Sequence, residues 1–364
     1  MAPTLRPVDL LARLERDVEH NALRMRNGIS YVAGTHRPQL GRSPKDVVWR
    51  RDKAELWHYR CSRIRYSPPL MLVHSLVSRS YIMDLLPGNS MVEFLCSAGF
   101  DVFMLDWGIA DELDAENTLE TYVDEYLPLA VDAARAESGS DELTLDGYCL
   151  GGVLSLLYAA SHQDAPIRTL IVMATPVDWN HMGPLAAAFR EGRLGTGDIV
   201  DESGNVSPDV IYNGFRTISP TGQLVQYANL WEHLWDDEYM QGYQAMGQWT
   251  RDHVPFPGAA FEQMVQRLIR ENALMRGTMR LGGRPVNLAD VRVPLLNVMA
   301  ERDTIVPLRA AEPLTAKVGG EADELRLPAG HVAFAAGRLA TKLTLPRLAD
   351  WLAAHSLACT GKKR

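Results

Sequence analysis

The sequence lacks any apolar run near the ~20 residues that a membrane-crossing helix needs, so no membrane span is expected. Cysteine is scarce: Cys61, Cys96, Cys149 and Cys359 are the only four among 364 residues, and no two stand as C-x-x-C. That spacing argues against a structural zinc site or a redox dithiol and fits free thiols in a reducing compartment. An excess of positive charge is missing too. With 37 basic and 45 acidic side chains, net −8, neither nucleic acid nor an anionic membrane is expected as the main partner. Repeats and low-complexity tracts are absent. A chain 23% charged and 46% hydrophobic is ordinary globular material, which excludes disordered, collagen-like and coiled-coil readings. The first residues, Met1 to Pro7, carry no signal-peptide core, so a cytoplasmic location is expected.

Short apolar runs alternate with helical patterns along most of the chain. Strands are expected at Leu70–His74, Asp101–Asp106, Leu143–Asp146, Thr169–Ala174, Pro294–Met299 and Glu324–Leu327. Helices are expected near Val8–Arg26, Ser90–Ala98, Thr118–Glu137 and Val153–Ser161. Continuous apolar strands separated by helices imply a mainly parallel α/β sheet covered on both faces. The rhythm stops between Asn180 and Val293, where helical patterns and aromatics such as Trp231, Trp235 and Trp249 replace strands. Connections in α/β units usually take about 2–6 residues, so this interval reads as an inserted, mainly helical cap. The expected organisation is a helical lead-in (1–45), a first core part (46–179), the cap (180–293) and a second core part (294–364).

The chemistry centres on Gly147-Tyr-Cys149-Leu-Gly151-Gly152, a G-x-C-x-G pattern between an apolar strand and an apolar helix. A nucleophile elbow places its central residue on a sharp strand-to-helix turn, exposed at the sheet edge. Flanking glycines let neighbouring backbone crowd in, and the helix N-terminus favours a thiolate and an oxyanion. The fold class expected is therefore the α/β-hydrolase fold. A cysteine nucleophile needs a base and a group to orient that base. Among ten histidines, His331 alone follows a late apolar strand and a Gly turn. His20, His58, His162 and His355 read as surface residues, and His181, His233 and His253 fall in the inserted interval. Asp303 follows the strand ending at Met299, which completes the order Cys149, Asp303, His331. Asp106, Asp146 and Asp178 read as hydrogen-bonded turn residues, and His74 as a packing or loop-orienting one. The oxyanion donors expected are the amide of Leu150 and one from the loop after Leu70–His74, near Leu76 or Val77. No cofactor and no metal are expected.

Assembled in this way, the chain resembles the catalytic subunit of polyhydroxyalkanoate synthases, the PhaC family, closest to the short two-subunit class III type. The matching stretches include Leu76–Asp84, Asp106-Trp-Gly108, Gly147–Gly152, Ala174–Trp179, Asp303–Pro307 and Gly330-His331. The resemblance implies an acyltransferase that polymerises 3-hydroxyacyl-CoA into polyester through a Cys149 acyl-enzyme. It assigns His331 as general base, Asp303 as the aspartate that helps activate the incoming 3-hydroxyl, and Val77 as the second oxyanion donor. It implies a growing polyester chain, a second non-catalytic subunit, a homodimer and a place at the polyester granule surface. Three positions depart from the family pattern: Thr304, Ala329 and Ser78. They keep two alternatives open, a Cys-dependent thioesterase or depolymerase and a catalytically weak granule-associated homologue. Residue type itself favours acyl transfer. Exchange between thioesters is nearly isoenergetic, and a hydroxyl acceptor can then attack the enzyme thioester downhill.

Overall fold

The computed structural model describes residues 7–34, 38–218 and 230–359. Its centre is an eight-stranded sheet. In chain order the strands are β1 (Lys45–Arg51), β2 (Ala54–Tyr59), β3 (Leu70–Val73), β4 (Val102–Asp106), β5 (Leu143–Tyr148), β6 (Ile167–Met173), β7 (Leu295–Ala300) and β8 (Ala322–Leu327). They lie side by side in the order β1-β2-β4-β3-β5-β6-β7-β8. Only the β1–β2 and β2–β4 pairs are antiparallel. From β4 onward every neighbour is parallel. This is the mixed sheet of an α/β-hydrolase.

All six expected strands are present, shifted by a few residues at their ends. Each offers alternate side chains to opposite faces, as strand geometry demands. Met71 and Val73 of β3 join one apolar cluster with helices α3 (Leu127–Ser138) and α4 (Leu150–Ser161). Leu70 and Leu72 join the other, with α2 (Met91–Ala98) and a C-terminal helix over Leu345–Ala354. Both faces are thus dry, which explains the continuous apolar runs. Missing from the sequence reading are β1 and β2. β1 is half exposed and reads Lys-Asp-Val-Val-Trp-Arg-Arg, so no apolar run announces it.

The N-terminal helix α1 runs from Pro7 to Ala33, a turn or two beyond the expected end. Its far end is tied to the inserted interval. Arg26 bonds both carboxylate oxygens of Asp237, Asn27 donates to the Leu234 carbonyl at 2.9 Å, and His20 stacks on Trp235. Between β6 and β7, among the described residues, strands are only two residues long, and helices dominate: Gly183–Arg190, Pro208–Ile218 and Asp237–Trp249.

Two expectations fail here. Cys61 and Cys96 are not free thiols but form a disulfide, their Cα atoms 4.9 Å apart. Cys61 follows β2 and Cys96 lies on α2, and both elements pack on the same sheet face, which spacing in sequence does not reveal. His58 is no surface residue: it is buried on β2, stacked on Phe103, with Nε2 2.7 Å from Asp101 Oδ1. A buried histidine survives because the carboxylate supplies the partner that water would have given. No helix among the described residues is long and apolar enough to cross a membrane.

Candidate functional site

β5 ends at Tyr148 and α4 begins at Leu150, leaving Cys149 alone to turn the chain. It does so at φ 54° and ψ −117°, a left-handed conformation that costs a non-glycine residue of order 1–3 kcal/mol. The neighbouring glycines are required by contact. A Cβ on Gly147 would stand 2.5 Å from the Gly152 Cα, and one on Gly151 would run into the carbonyls of Val73 and His74. The elbow is therefore pressed against the end of β3. Leu150 is the first residue of α4, so its amide has no carbonyl within the helix to bond.

His331 opens a helical turn after β8, preceded by Gly330. Its Nδ1 lies 2.7 Å from Asp303 Oδ2, and the Asp303 side chain is fully buried. The other carboxylate oxygen of Asp303 accepts the amides of Ile305 and Val306 at 2.8 and 2.9 Å. Burial alone would push His331 down, but the charges of Asp303 and Cys149 and hydrogen bonds to both lift its pKa to about 10. The Tyr148 hydroxyl donates to the His331 carbonyl at 3.0 Å and fixes the loop from the sheet side. Cys149, His331 and Asp303, separated in sequence, thus meet at one end of the sheet.

The loop after β3 forms the opposite wall. His74 is buried and donates through Nε2 to the Ser78 carbonyl at 2.8 Å; burial lowers its pKa to about 4, so it stays neutral. Trp107 Nε1 donates to the His74 carbonyl at 2.7 Å. Val77 lines the cavity, and its amide meets no protein acceptor among the described residues. Ser75 is 3% exposed, lines the same cavity, and has no hydrogen-bond partner for its hydroxyl. Of the three departures from the family pattern, Thr304 is exposed, Ala329 is buried, and Ser78 closes the His74 turn.

The cavity above Cys149 has a volume of about 670 Å³, within the range of small-molecule sites. Besides Cys149 and His331, the inserted interval contributes Tyr212, Phe215, Arg216, Trp249, Arg251 and His253. The aromatics of that interval divide. Trp249 and Tyr243 face the cavity, whereas Trp231 is 70% exposed. His253 is the residue that sequence reasoning passed over; nothing in Asp-His-Val-Pro signals it, because a contact across the fold brings it in. Asp106 accepts from Ser80 and the Gly108 amide, and Asp178 from the Asn180 amide, as turn residues do. Asp146 is different. It lies inside β5, fully buried with neither oxygen bonded, and burial raises its pKa to about 8. Apolar Leu72 and Ile171 flank it across the sheet.

Residues 68–203 match the alpha/beta hydrolase fold, and residues 8–95 match the poly-beta-hydroxybutyrate polymerase (PhaC) N-terminus. The chain is 31% identical over 356 residues to the poly(3-hydroxyalkanoate) polymerase subunit PhaC of Allochromatium vinosum, covering 95% of this chain and 99% of that protein. It is 31% identical over 326 residues to the Synechocystis sp. protein of that name, covering 86% and 85%. The Haloferax mediterranei subunit is 30% identical over 321 residues, and the chain spans 65% of its length. Among solved structures, a thermophilic esterase from Thermogutta terrifontis superposes with a TM-score of 0.52 at 16% identity, over 87% of this chain and all of that one. That likeness speaks to the fold alone. With relatives matching nearly end to end and a family-specific N-terminal match beside the hydrolase core, the chain belongs to the poly(3-hydroxyalkanoate) polymerase (PhaC) family.

Proposed function

We propose that the protein is an acyltransferase that polymerises 3-hydroxyacyl-CoA thioesters into polyhydroxyalkanoate, with Cys149 as the acylated nucleophile. The observation that carries this reading is the convergence of Cys149, on its left-handed elbow, with a His331 bonded to a buried Asp303. His331 takes the Cys149 proton, and the thiolate attacks the thioester carbonyl. The oxyanion that forms rests on the amides of Leu150 and Val77. The tetrahedral intermediate collapses, CoA departs as its thiolate, and His331 returns the proton to it. A hydroxyl then gives its proton to His331 and attacks the Cys149 thioester, forming the ester and freeing the thiol. Residues 180–293 act as a cap over the cavity, between core parts 46–179 and 294–364, with 1–45 leading in.

The relatives are named as polymerase subunits. We extend that to a second subunit and a homodimer for this chain, and to a place at the granule surface. Light scattering of the chain alone and with a co-expressed partner tests the assembly. The decisive activity test is incubation of the purified protein with 3-hydroxybutyryl-CoA, with and without that partner. CoA release with insoluble polymer is the expected result; CoA release with only soluble acid would favour the thioesterase alternative.

A further inference from the structure

Beyond the triad, the cavity holds a second histidine, anchored through one ring nitrogen and by two aromatic neighbours. His253 Nδ1 donates to the Val77 carbonyl at 3.0 Å, and its backbone bridges antiparallel to Ser78. Its ring stacks on Phe215, with centroids 5.4 Å apart, and meets Tyr212 at a tilt. Because Nδ1 carries the proton, Nε2 of the neutral ring is a hydrogen-bond acceptor. Nε2 meets no protein donor among the described residues, and burial lowers the pKa of this histidine, which keeps the acceptor form at neutral pH. The same cavity is lined by two cations, Arg216 and Arg251, whose side chains present N–H groups only. A neutral acceptor beside them selects a ligand group that donates.

Asp303 is not available for that task. Its side chain has no exposed surface, and both oxygens are occupied by His331 and by the amides of Ile305 and Val306. A hydroxyl in the cavity meets instead the acceptors that line it, and His253 Nε2 is the one set on an otherwise anchored ring. We propose that His253 is a specificity-determining residue, whose Nε2 accepts a hydrogen bond from the 3-hydroxyl of the acyl group and so distinguishes hydroxylated from plain acyl thioesters. The inference rests on the reading of Cys149 as nucleophile, and it assigns a cap residue to substrate choice, with no proton transfer asked of it.

The experiment is single-turnover CoA release with 3-hydroxybutyryl-CoA and with butyryl-CoA, compared as a ratio of second-order rates. His253→Asn keeps an amide donor near the Nδ1 position, and so the bond to Val77, but removes the Nε2 acceptor. His253→Phe keeps the ring stacking and loses both nitrogens. The expected result is a preference for the hydroxylated thioester in the wild type that falls about tenfold in both variants, the scale of one neutral hydrogen bond. If His253 only holds the Val77 loop, His253→Asn keeps the wild-type ratio while His253→Phe slows both substrates in parallel; that outcome overturns the proposal. An unselective wild type overturns it as well. Product identity separates this from the wider reading: soluble acid in place of polymer would remove the polymerase function and leave the hydroxyl selectivity standing. Absence of CoA release from both substrates would remove both.

Discussion

Asp303 divides its carboxylate between two tasks: one oxygen holds His331 Nδ1 at 2.7 Å, and the other anchors the backbone amides of Ile305 and Val306. Position and charge are thus supplied by a single buried group. Asp303→Asn separates them. The amide oxygen can still accept the two backbone N–H groups, but its NH₂ faces His331 Nδ1 and forces the wrong tautomer. Single-turnover CoA release is expected to fall by roughly 10³-fold or more with little change in melting temperature. A loss smaller than tenfold would take Asp303 out of the proposed triad.

Cys149 and Cys359 are the free thiols, now that Cys61 and Cys96 are joined. At pH 7 iodoacetamide is expected to modify Cys149 at least tenfold faster than Cys359, because the Cys149 proton can pass to His331, whose pKa is lifted to about 10. His331→Ala should erase that difference. Peptide mapping after timed quenching reads both rates, and equal slow labelling in the wild type would favour a binding protein over an enzyme.

The backbone at Cys149 sits where glycine is at ease. Cys149→Gly is expected to be more stable than Cys149→Ala by about 1 kcal/mol or more, although neither releases CoA. Urea titration of the two variants measures it. Equal midpoints would mean that the elbow carries no strain.

Asp146 sets a pH dependence of stability with a definite sign. Its folded pKa of about 8 lies above the ordinary aspartate value of 3.8, so the folded chain keeps a proton that the unfolded chain loses. Stability relative to Asp146→Asn should therefore fall as pH rises from 4 to 8 and level off beyond. Melting curves at pH 4, 6 and 8 should show the variant overtaking the wild type by several degrees at the alkaline end. Parallel curves would place a partner beside this carboxylate after all.

The parts of the fold that were legible in sequence are those whose residues act locally. Six buried strands show as apolar runs because both faces are covered, and the elbow shows because Gly147, Gly151 and Gly152 each answer a contact within or beside the turn. The order of Cys149, Asp303 and His331 was readable because each follows its own strand. What was illegible depends on distant pairing. β1 and β2 hide behind charge, His58 needs Asp101 to justify its burial, and Cys61 needs the packing of α2 on the sheet. Asp146 misled because a polar residue inside a strand looks like the strand's end. His253 reaches the cavity wall through pairing across the fold, its bond to the Val77 carbonyl spanning 176 positions.

The loop after β3 serves two masters. The stretch that offers the Val77 amide to the cavity also receives the inserted interval: His253 holds the Val77 carbonyl, Trp249 Nε1 donates to the Arg79 carbonyl at 2.8 Å, and the Tyr81 hydroxyl donates to Asp252 at 2.8 Å. Lifting that interval away would release the very peptides that face Cys149. If that interval covers the site as proposed, exposing a Cys149 thioester to bulk water would also slacken the groups that would help water attack it. Protection of a reactive intermediate would then rest on how that loop is anchored, without demanding that the chamber ever be perfectly sealed.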